Sequence, residues 1–503
     1  MVALWENVRR DVMAFLERIV PAAPPQPGMY AYRYKISGGT VRIHLRIESD
    51  QSGVLFVDVT DVVHLNSTAA EFAKWALDGV PLEVAQARLR ARHGIRRQSA
   101  WRDDLNRVYE MVDRFSNPAH GCPTCALGNV NRAALFSTSV SAPFKADLAV
   151  TYDCNNDCPH CYNEADRQAM GLMSAAEWKR IVDKLADVGI PHLIFTGGEA
   201  TLHPGLLDII HHADEAGPIC GLNTNARRMA HASYANELAA AGLNHVQVTL
   251  GSHKSDVHDR MMNAHCFQQT IRGIENAIVS GLHTITNTTL MKMNADEIEK
   301  TISFIHGLGI RTFAVNGMIY SGGGFDTGEA IREEELPALL IRIRDKAKQL
   351  GMKFLWYTPT QYCRLSPVEL EIGAKRCNAG EYSLCVEPNG DVLPCQSYYV
   401  AAGNVLRDPW DQIWNSGLFR SFRDRELDPQ GHGLPSKCWD CPDLPLCGGG
   451  CRIEREAEEG IRTADAGCGG CAGGGSCGTR TAGFVEIGSL QDSGKRRSTG
   501  VFV

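Results

Sequence analysis

Cys154-Asn-Asn-Asp-Cys158-Pro-His-Cys161-Tyr162 decides the reading of this chain: three cysteines in a CxxxCxxC spacing, directly after the strand-like run Phe144-Lys-Ala-Asp-Leu-Ala-Val-Thr151. Iron-sulfur clusters are held by four ligands, and three thiolates from one short loop leave one iron with an open position. Such an iron binds and activates a cofactor. The alternatives, a zinc loop or a chance trio, need a fourth ligand nearby, and the motifs further along fit an iron-sulfur centre better.

The spacing, with an aromatic directly after the third cysteine, resembles the signature of the radical S-adenosylmethionine (SAM) superfamily. The resemblance implies that Cys154, Cys158 and Cys161 hold a [4Fe–4S] cluster whose open iron chelates the amino and carboxylate groups of SAM. It also implies reductive cleavage of SAM to methionine and a 5′-deoxyadenosyl radical. From 145 to about 320, strand-like runs recur at His192–Thr196, Pro218–Asn223, His245–Leu250, His283–Leu290 and Arg311–Asn316, with helical segments between them. Repeated strand-helix units imply a parallel sheet. With the run before the trio this makes six strands, which resembles the partial (β/α)6 barrel of that family, with its site at the carboxyl ends of the strands.

Three features fall at those ends. Gly197-Gly198-Glu199, thirty-six residues past the trio, resembles the GGE motif whose backbone and carboxylate hold the SAM amino group; glycines admit close approach and an acidic group suits an ammonium. Asn223 and Asn225 carry amides suited to ribose, and Thr249 ends a strand where relatives often carry Ser or Thr near SAM. Many relatives then read Ser-Leu-Asp-Gly, whereas this chain has Thr249-Leu-Gly251-Ser252. His258 and Asp259 are the candidates to replace the missing Asp in acid-base work, against a structural role at a helix start. A capping box, Ser174-x-x-Glu177, opens an amphipathic helix before the second strand, and Ser321-Gly-Gly-Gly324 reads as a flexible loop.

Composition narrows the class. At 503 residues there is room for about three domains, and a net charge of −7 gives no basic field for nucleic acid or an anionic membrane. No run of eighteen apolar residues appears, and Met-Val-Ala-Leu-Trp-Glu-Asn-Val-Arg-Arg-Asp at the start mixes charges where a signal peptide is apolar. The expected location is cytoplasmic. Eighteen cysteines without a secretion signal, grouped in CxxC-type clusters, read as metal ligands.

Ahead of the trio, residues 1–27 read as a helix and a Pro-rich linker. Tyr30–Ile36, Val41–Ile47 and Gly53–Val59 alternate as three antiparallel strands. A capping box Thr68-x-x-Glu71 opens a helix, and further helices follow over Pro81–Arg92 and Trp101–Phe115. This order, with Val62-Val-His-Leu-Asn-Ser-Thr-Ala-Ala-Glu-Phe72, resembles the winged-helix-like RiPP recognition element, a domain that binds leader peptides of ribosomally made, modified peptides. The resemblance implies a leader added as a strand at the sheet edge, and Arg88, Arg90, Arg92, Arg96 and Arg97 offer charge to an acidic leader. Cys122-Pro-Thr-Cys125 has no second pair nearby to settle its role.

The cysteines return with Cys377-x12-Gly390-x4-Cys395 and Cys438-x2-Cys441-x5-Cys447-x3-Cys451, which fit the seven-cysteine signature of the SPASM domain. By that resemblance Cys377, Cys385, Cys395 and Cys451 hold a first auxiliary cluster. Cys438, Cys441 and Cys447 hold a second, with Cys468 or Cys471 as the fourth ligand and Cys468 slightly favoured. The Gly-rich stretch that follows, and the basic tail at Lys495–Arg497, have no core-forming pattern.

The expected organisation is thus 1–27 helix and linker, 28–97 leader-binding domain, 98–143 bridging helix and CPTC loop, 144–330 barrel, 331–362 bridging helix and strand, 363–471 SPASM domain and 472–503 tail. The whole resembles a radical SAM/SPASM peptide maturase. The implied activity is hydrogen abstraction from an unactivated C–H of a bound precursor peptide, with an auxiliary cluster accepting the second electron as a thioether or carbon-carbon crosslink closes. The implied cofactors are three [4Fe–4S] clusters and SAM; the partners are the peptide's leader and a one-electron reductant such as flavodoxin or ferredoxin. A maturase of a folded protein or of a redox-cofactor peptide is the alternative within enzymes, and a leader-binding or electron-carrying iron-sulfur protein the alternative outside them.

Overall fold

The computed structural model describes residues 23–36, 39–58, 61–93, 98–117 and 140–461. The helix expected within 1–20, Arg96, Arg97, Cys122, Cys125, Cys468, Cys471, Cys477 and the tail lie outside the described residues. Two compact units are present, one of the residues up to Ser141 together with Asp187–Pro191, and one of Ala142–Ala186 and the residues from His192 on.

In the first unit, β1 (Gly28–Ile36), β2 (Gly39–Ile47), β3 (Gly53–Val57) and β4 (Asp61–Leu65) form an antiparallel sheet in that order. The expectation of three strands is one short. Asp58 adopts a left-handed φ of 46°, and the chain turns so that Asp61 lies opposite Val57 and Val62 opposite Phe56. Val62-Val-His-Leu therefore extends the sheet. Helices Ser67–Leu77, Leu82–His93 and Gln98–Ser116 follow. The first begins at Asn66, whose Oδ1 accepts the Ala69 N–H at 2.7 Å, rather than at Thr68. Glu71 is not the reciprocal member of a capping box but a buried residue of the first helix.

Ile43, Leu45 and Ile47 of β2 pack with Phe72 and Trp75 and with Leu105, Val108, Met111 and Phe115 of the third helix. That helix belongs to the N-terminal core, not to a bridge starting at residue 98. Its apolar positions close the core that three strands and two helices leave open.

The second unit is a nine-stranded sheet in the order β11-β10-β9-β8-β7-β6-β5-β12-β13. The six expected strands are β5 (Lys145–Thr151), β6 (His192–Gly197), β7 (Ile219–Thr224), β8 (His245–Thr249), β9 (His283–Thr289) and β10 (Thr312–Asn316), all mutually parallel. Two more join in parallel. β11 (Lys353–Trp356), expected as part of a bridge, pairs with β10, and β12 (Ser383–Val386), from the C-terminal cysteine region, pairs with β5. β13 (Val392–Leu393) returns antiparallel on β12. The barrel is open, as expected, and wider than six strands.

The capping box at Ser174 is present: the Ser174 N–H donates to Glu177 Oε2 at 2.9 Å and the Glu177 N–H to Ser174 Oγ at 3.3 Å. The helix it opens, Ala175–Asp187, buries Trp178, Ile181, Val182 and Leu185. Among the described residues no helix is long and apolar enough to cross a membrane.

Replacing Asn66 by Ala removes the side-chain acceptor of the first helix, a loss of about 1 kcal/mol. Amide exchange at residues 68–70 is expected to quicken about fivefold by that figure, with the barrel amides unchanged.

Candidate active site and metal centres

The loop after β5 carries Cys154, Cys158 and Cys161, and the carboxyl ends of β6, β7 and β10 hold it in place. At β6, a Cβ on Gly197 would lie 1.9 Å from the Thr151 carbonyl oxygen, and one on Gly198 would lie 2.4 Å from those of Tyr152 and Asp153. Only glycine lets the two strand ends approach so closely. The Gly198 N–H donates to Thr151 O and the Glu199 N–H to Asp153 O, at 2.8 and 2.7 Å. The Asn163 amide donates to Gly197 O at 3.1 Å, closing the loop from its far side.

Glu199 is buried, and its carboxylate ties β6 to β7. Oε1 accepts from the Thr201 N–H and hydroxyl and from the Thr224 hydroxyl, at 3.1, 2.6 and 2.8 Å, while Oε2 accepts the Asn225 N–H at 2.8 Å. A carboxylate has about four acceptor sites, two per oxygen, so Oε2 is where acceptor capacity remains for a ligand ammonium. Asn225 donates through Nδ2 to Asn155 Oδ1 at 2.6 Å, inside the cysteine loop. Arg227, two residues on, donates to the Asn155 carbonyl and to Asn156 Oδ1. Sequence reasoning missed Arg227, although its proximity to Asn225 was a usable signal.

Ser321-Gly-Gly-Gly324 is not a free loop. Glu164 Oε1 accepts from the Ser321 hydroxyl at 3.2 Å and the Gly322 N–H at 2.8 Å. Gly322, at φ 53°, sits so close that a Cβ would meet the Cys161 and Asn163 carbonyls at 2.6 and 2.5 Å. The glycines form a flat bed under the cysteine loop.

Within that frame the three cysteines lie close enough for their charges to act on one another. Burial first, and then the Cys161 and Cys154 charges, raise the Cys158 thiol, the repulsion expected of thiolates gathered for a cation. The Asn156 N–H donates to Cys154 Sγ at 3.4 Å, and hydrogen bonds to ligand sulfur are one of the means by which a protein tunes such a cluster. The soft donor set, the sulfur-directed N–H and the close backbone approach fit an iron-sulfur centre with one open iron.

Beyond the loop, Asn223 stands in register with Gln247, and Thr249 with Asn287. These four polar, half-buried side chains share one face of the sheet, while Leu222, Val246 and Val248 on the other face are fully buried. His258 and Asp259 lie elsewhere and are engaged in holding the fold. His258 is fully buried; its Nδ1 accepts the Gly251 N–H at 3.2 Å, and burial holds its pKa down at about 4. Asp259 Oδ1 accepts the Cys266 and Phe267 N–H groups at 3.0 and 2.9 Å, capping the helix Phe267–Val279. The pair positions the Gly251 bend and the start of the helix after it.

In the C-terminal cysteine region, Cys377, Cys395 and Cys451 gather around Tyr398, Phe422 and Ile453. Burial and then the Cys377 charge push the Cys395 thiol up to about 12, and Cys451 is raised by burial and by the same two neighbours. A small pocket partly open to solvent borders Cys377 beside Arg425 and Arg452. Cys385, fully buried on β12, packs with Ala149, Tyr152, Leu393 and Tyr399; burial and then the charges of Asp147, Glu387 and Cys395 raise its thiol, and the pairing of β12 with β5 sets its place.

Cys438 packs with Leu434 and Leu444, with Cys441 alongside, and burial and then the Cys447 charge raise its thiol. Gly448, Gly449 and Gly450 then take φ of 61°, 76° and 74°, a left-handed run only glycine adopts readily. The reversal explains why Cys447 joins one set while Cys451, four residues on, joins the other.

Comparison with known proteins agrees with this geometry. Residues 148–305 match the radical SAM superfamily, and residues 377–442 match SPASM, an iron-sulfur cluster-binding domain. Residues 148–305 are thus a radical SAM domain and residues 377–442 a SPASM domain. The chain is 27% identical to an AdoMet-dependent heme synthase of Methanosarcina barkeri over 64% of this chain and 94% of the relative. It is 25% identical to the antilisterial bacteriocin subtilosin biosynthesis protein AlbA of Bacillus subtilis over 82% and 90%. The crystal structure of Streptococcus suis SuiB bound to its precursor peptide SuiA superposes with a TM-score of 0.59 at 17% identity, covering 84% of this chain and 96% of that one. That likeness is one of fold. The radical SAM domain brings a [4Fe–4S] cluster and SAM, and the SPASM domain further iron-sulfur centres.

Gly322→Ala tests the bed under the radical SAM loop. The added methyl meets two backbone carbonyls, so SAM cleavage is expected to fall at least tenfold (about 1.4 kcal/mol) with iron at the SPASM sites retained, read by product assay and iron count.

Proposed function

We propose that this chain captures a precursor peptide by its leader on the N-terminal sheet and oxidises an unactivated C–H of the core peptide, closing a thioether or carbon-carbon crosslink. The observation that carries the peptide half is the first unit itself. Among the described residues the outer edge of β4 has no strand partner, and unpaired backbone N–H and C=O groups are a template for an added strand. The alignments with the subtilosin protein and with SuiB reach 82% and 84% of the chain, against 64% for the heme synthase, which supports a shared need for more than the barrel and SPASM domain.

When bound, the cluster and SAM supply a 5′-deoxyadenosyl radical. The chain's part is position and exclusion of water. Cys154, Cys158 and Cys161 hold the cluster; Glu199 Oε2 and the Gly197-Gly198 backbone face the methionine ammonium, and Asn223, Asn225 and Thr249 line the path to the ribose. The polar face of Gln247 and Asn287 is left for the peptide. Cys377, Cys395 and Cys451 hold one auxiliary cluster and Cys438, Cys441 and Cys447 contribute to another, giving three in all, with an external flavodoxin or ferredoxin as electron donor.

Two outcomes check this reading. Replacing Cys154, Cys158 and Cys161 together by Ala is expected to lower iron from about twelve to about eight per chain and to abolish 5′-deoxyadenosine release from SAM; persistent release would remove the central assignment. Deleting residues 1–117, the unit that the third helix completes, is expected to stop modification of a full-length precursor while uncoupled SAM cleavage continues. Tandem mass spectrometry of the precursor reads the difference, and unchanged turnover by the truncated enzyme would count against leader capture.

A further inference from the structure

Cys363 stands outside both halves of the seven-cysteine signature, yet its loop is built into the second auxiliary site. The segment Thr360–Cys363 lies against the Cys447–Cys451 turn. The Tyr362 N–H donates to Cys447 Sγ at 3.3 Å, and the Cys447 thiol donates to Thr360 O at 3.6 Å. Gly450 admits the same segment at close range: a Cβ there would meet Gln361 Cγ at 2.9 Å, Gln361 N at 3.1 Å and the Thr360 carbonyl carbon at 3.2 Å. The contact is therefore backbone on backbone, and it places residue 363 one Cα step of about 3.8 Å from the residue that donates to a ligand sulfur.

We propose that Cys363 is the fourth thiolate of the second auxiliary cluster, completing Cys438, Cys441 and Cys447. This rests on the reading that the second set holds a cluster at all. The chemistry is ligation without electron transfer: the Cys363 S–H loses its proton to solvent, which its exposed position permits, and one iron–sulfur bond forms. Loading likewise releases to solvent the Cys447 S–H proton that now points at Thr360 O, and the Tyr362 N–H remains as the donor that tunes the sulfur. The assignment closes the site from the chain ahead of the SPASM motif and needs neither Cys468 nor Cys471.

The test uses the whole reconstituted protein. Anaerobic treatment with iodoacetamide, followed by peptide mapping, reports which cysteines are ligated, and an exposed free thiol at 363 would react at once. With about twelve irons bound per chain, Cys363 is expected to be protected and Cys468 and Cys471 to be alkylated. A chelator that strips the iron should expose Cys363. In C438A/C441A/C447A, at about eight irons, Cys363 should become reactive, while in C377A/C395A/C451A it should stay protected at the same count. Rapid labelling of Cys363 in the twelve-iron protein overturns the proposal, as does its continued protection in C438A/C441A/C447A. An iron count of about eight in the unmutated chain would instead remove the second cluster, and the proposal with it, and so separates that failure from a wrong ligand.

Discussion

Glu199 bridging two strand ends through one buried carboxylate is the interaction on which the rest of the site depends. Its oxygens gather the Thr201, Thr224 and Asn225 donors, so the ends of β6 and β7 cannot separate without stranding a buried charge, a loss far larger than that of a surface hydrogen bond. Asn225 and Arg227 pass that rigidity on to Asn155 and Asn156, and hence to the loop that carries Cys154. An acidic residue suited to a ligand ammonium thus also sets the geometry in which the ligand binds.

The SPASM domain solves a related problem with cations. Arg376 is almost wholly buried and meets both oxygens of Glu381 at 2.7 Å, while Arg425 reaches Glu381 Oε2 at 3.3 Å and the Cys377 carbonyl at 2.9 Å. Buried guanidinium-carboxylate pairs of this kind serve geometry more than net stability; here they lock the chain on either side of Cys377. Arg167 does the same between units of sequence far apart, pairing with Glu387 at 3.1 Å and lying over the Tyr399 ring at 4.5 Å. Tyr399 in turn donates to Tyr162 O or Asn163 Oδ1, each at 3.2 Å. The SPASM region therefore steadies the radical SAM loop directly, through residues that no cysteine motif points to.

Placement of β12 on β5 has a second consequence. It carries Cys385 into the apolar layer with Ala149 and Tyr152, where a thiol acts as a small core side chain. Strand pairing thus sets where Cys385 lies, a placement that its spacing in the sequence does not show. The same kind of decision turned Ser321–Gly324 from a flexible loop into a bed for the cluster loop, and gave His258 and Asp259 to the bend at Gly251 and the helix after it.

What the sequence by itself determined is the part written in local spacing. The three thiols at 154, 158 and 161, the Gly-Gly-Glu motif, the Ser174 capping box and the period of the strand-helix units all lie within a few residues of their own partners, so the pattern is complete on the chain. What only tertiary structure decided depends on neighbours distant in sequence. Lys353–Trp356 and Ser383–Val386 are barrel strands because β10 and β5 offer open edges. Asn66 rather than Thr68 caps the first helix because its Oδ1 meets the Ala69 N–H, while Glu71 is buried. Tyr362 meets Cys447 because Gly450 lets two backbones touch across more than eighty residues. Close approach, burial and strand pairing are properties of pairs of segments, and a single stretch of sequence carries only one half of each.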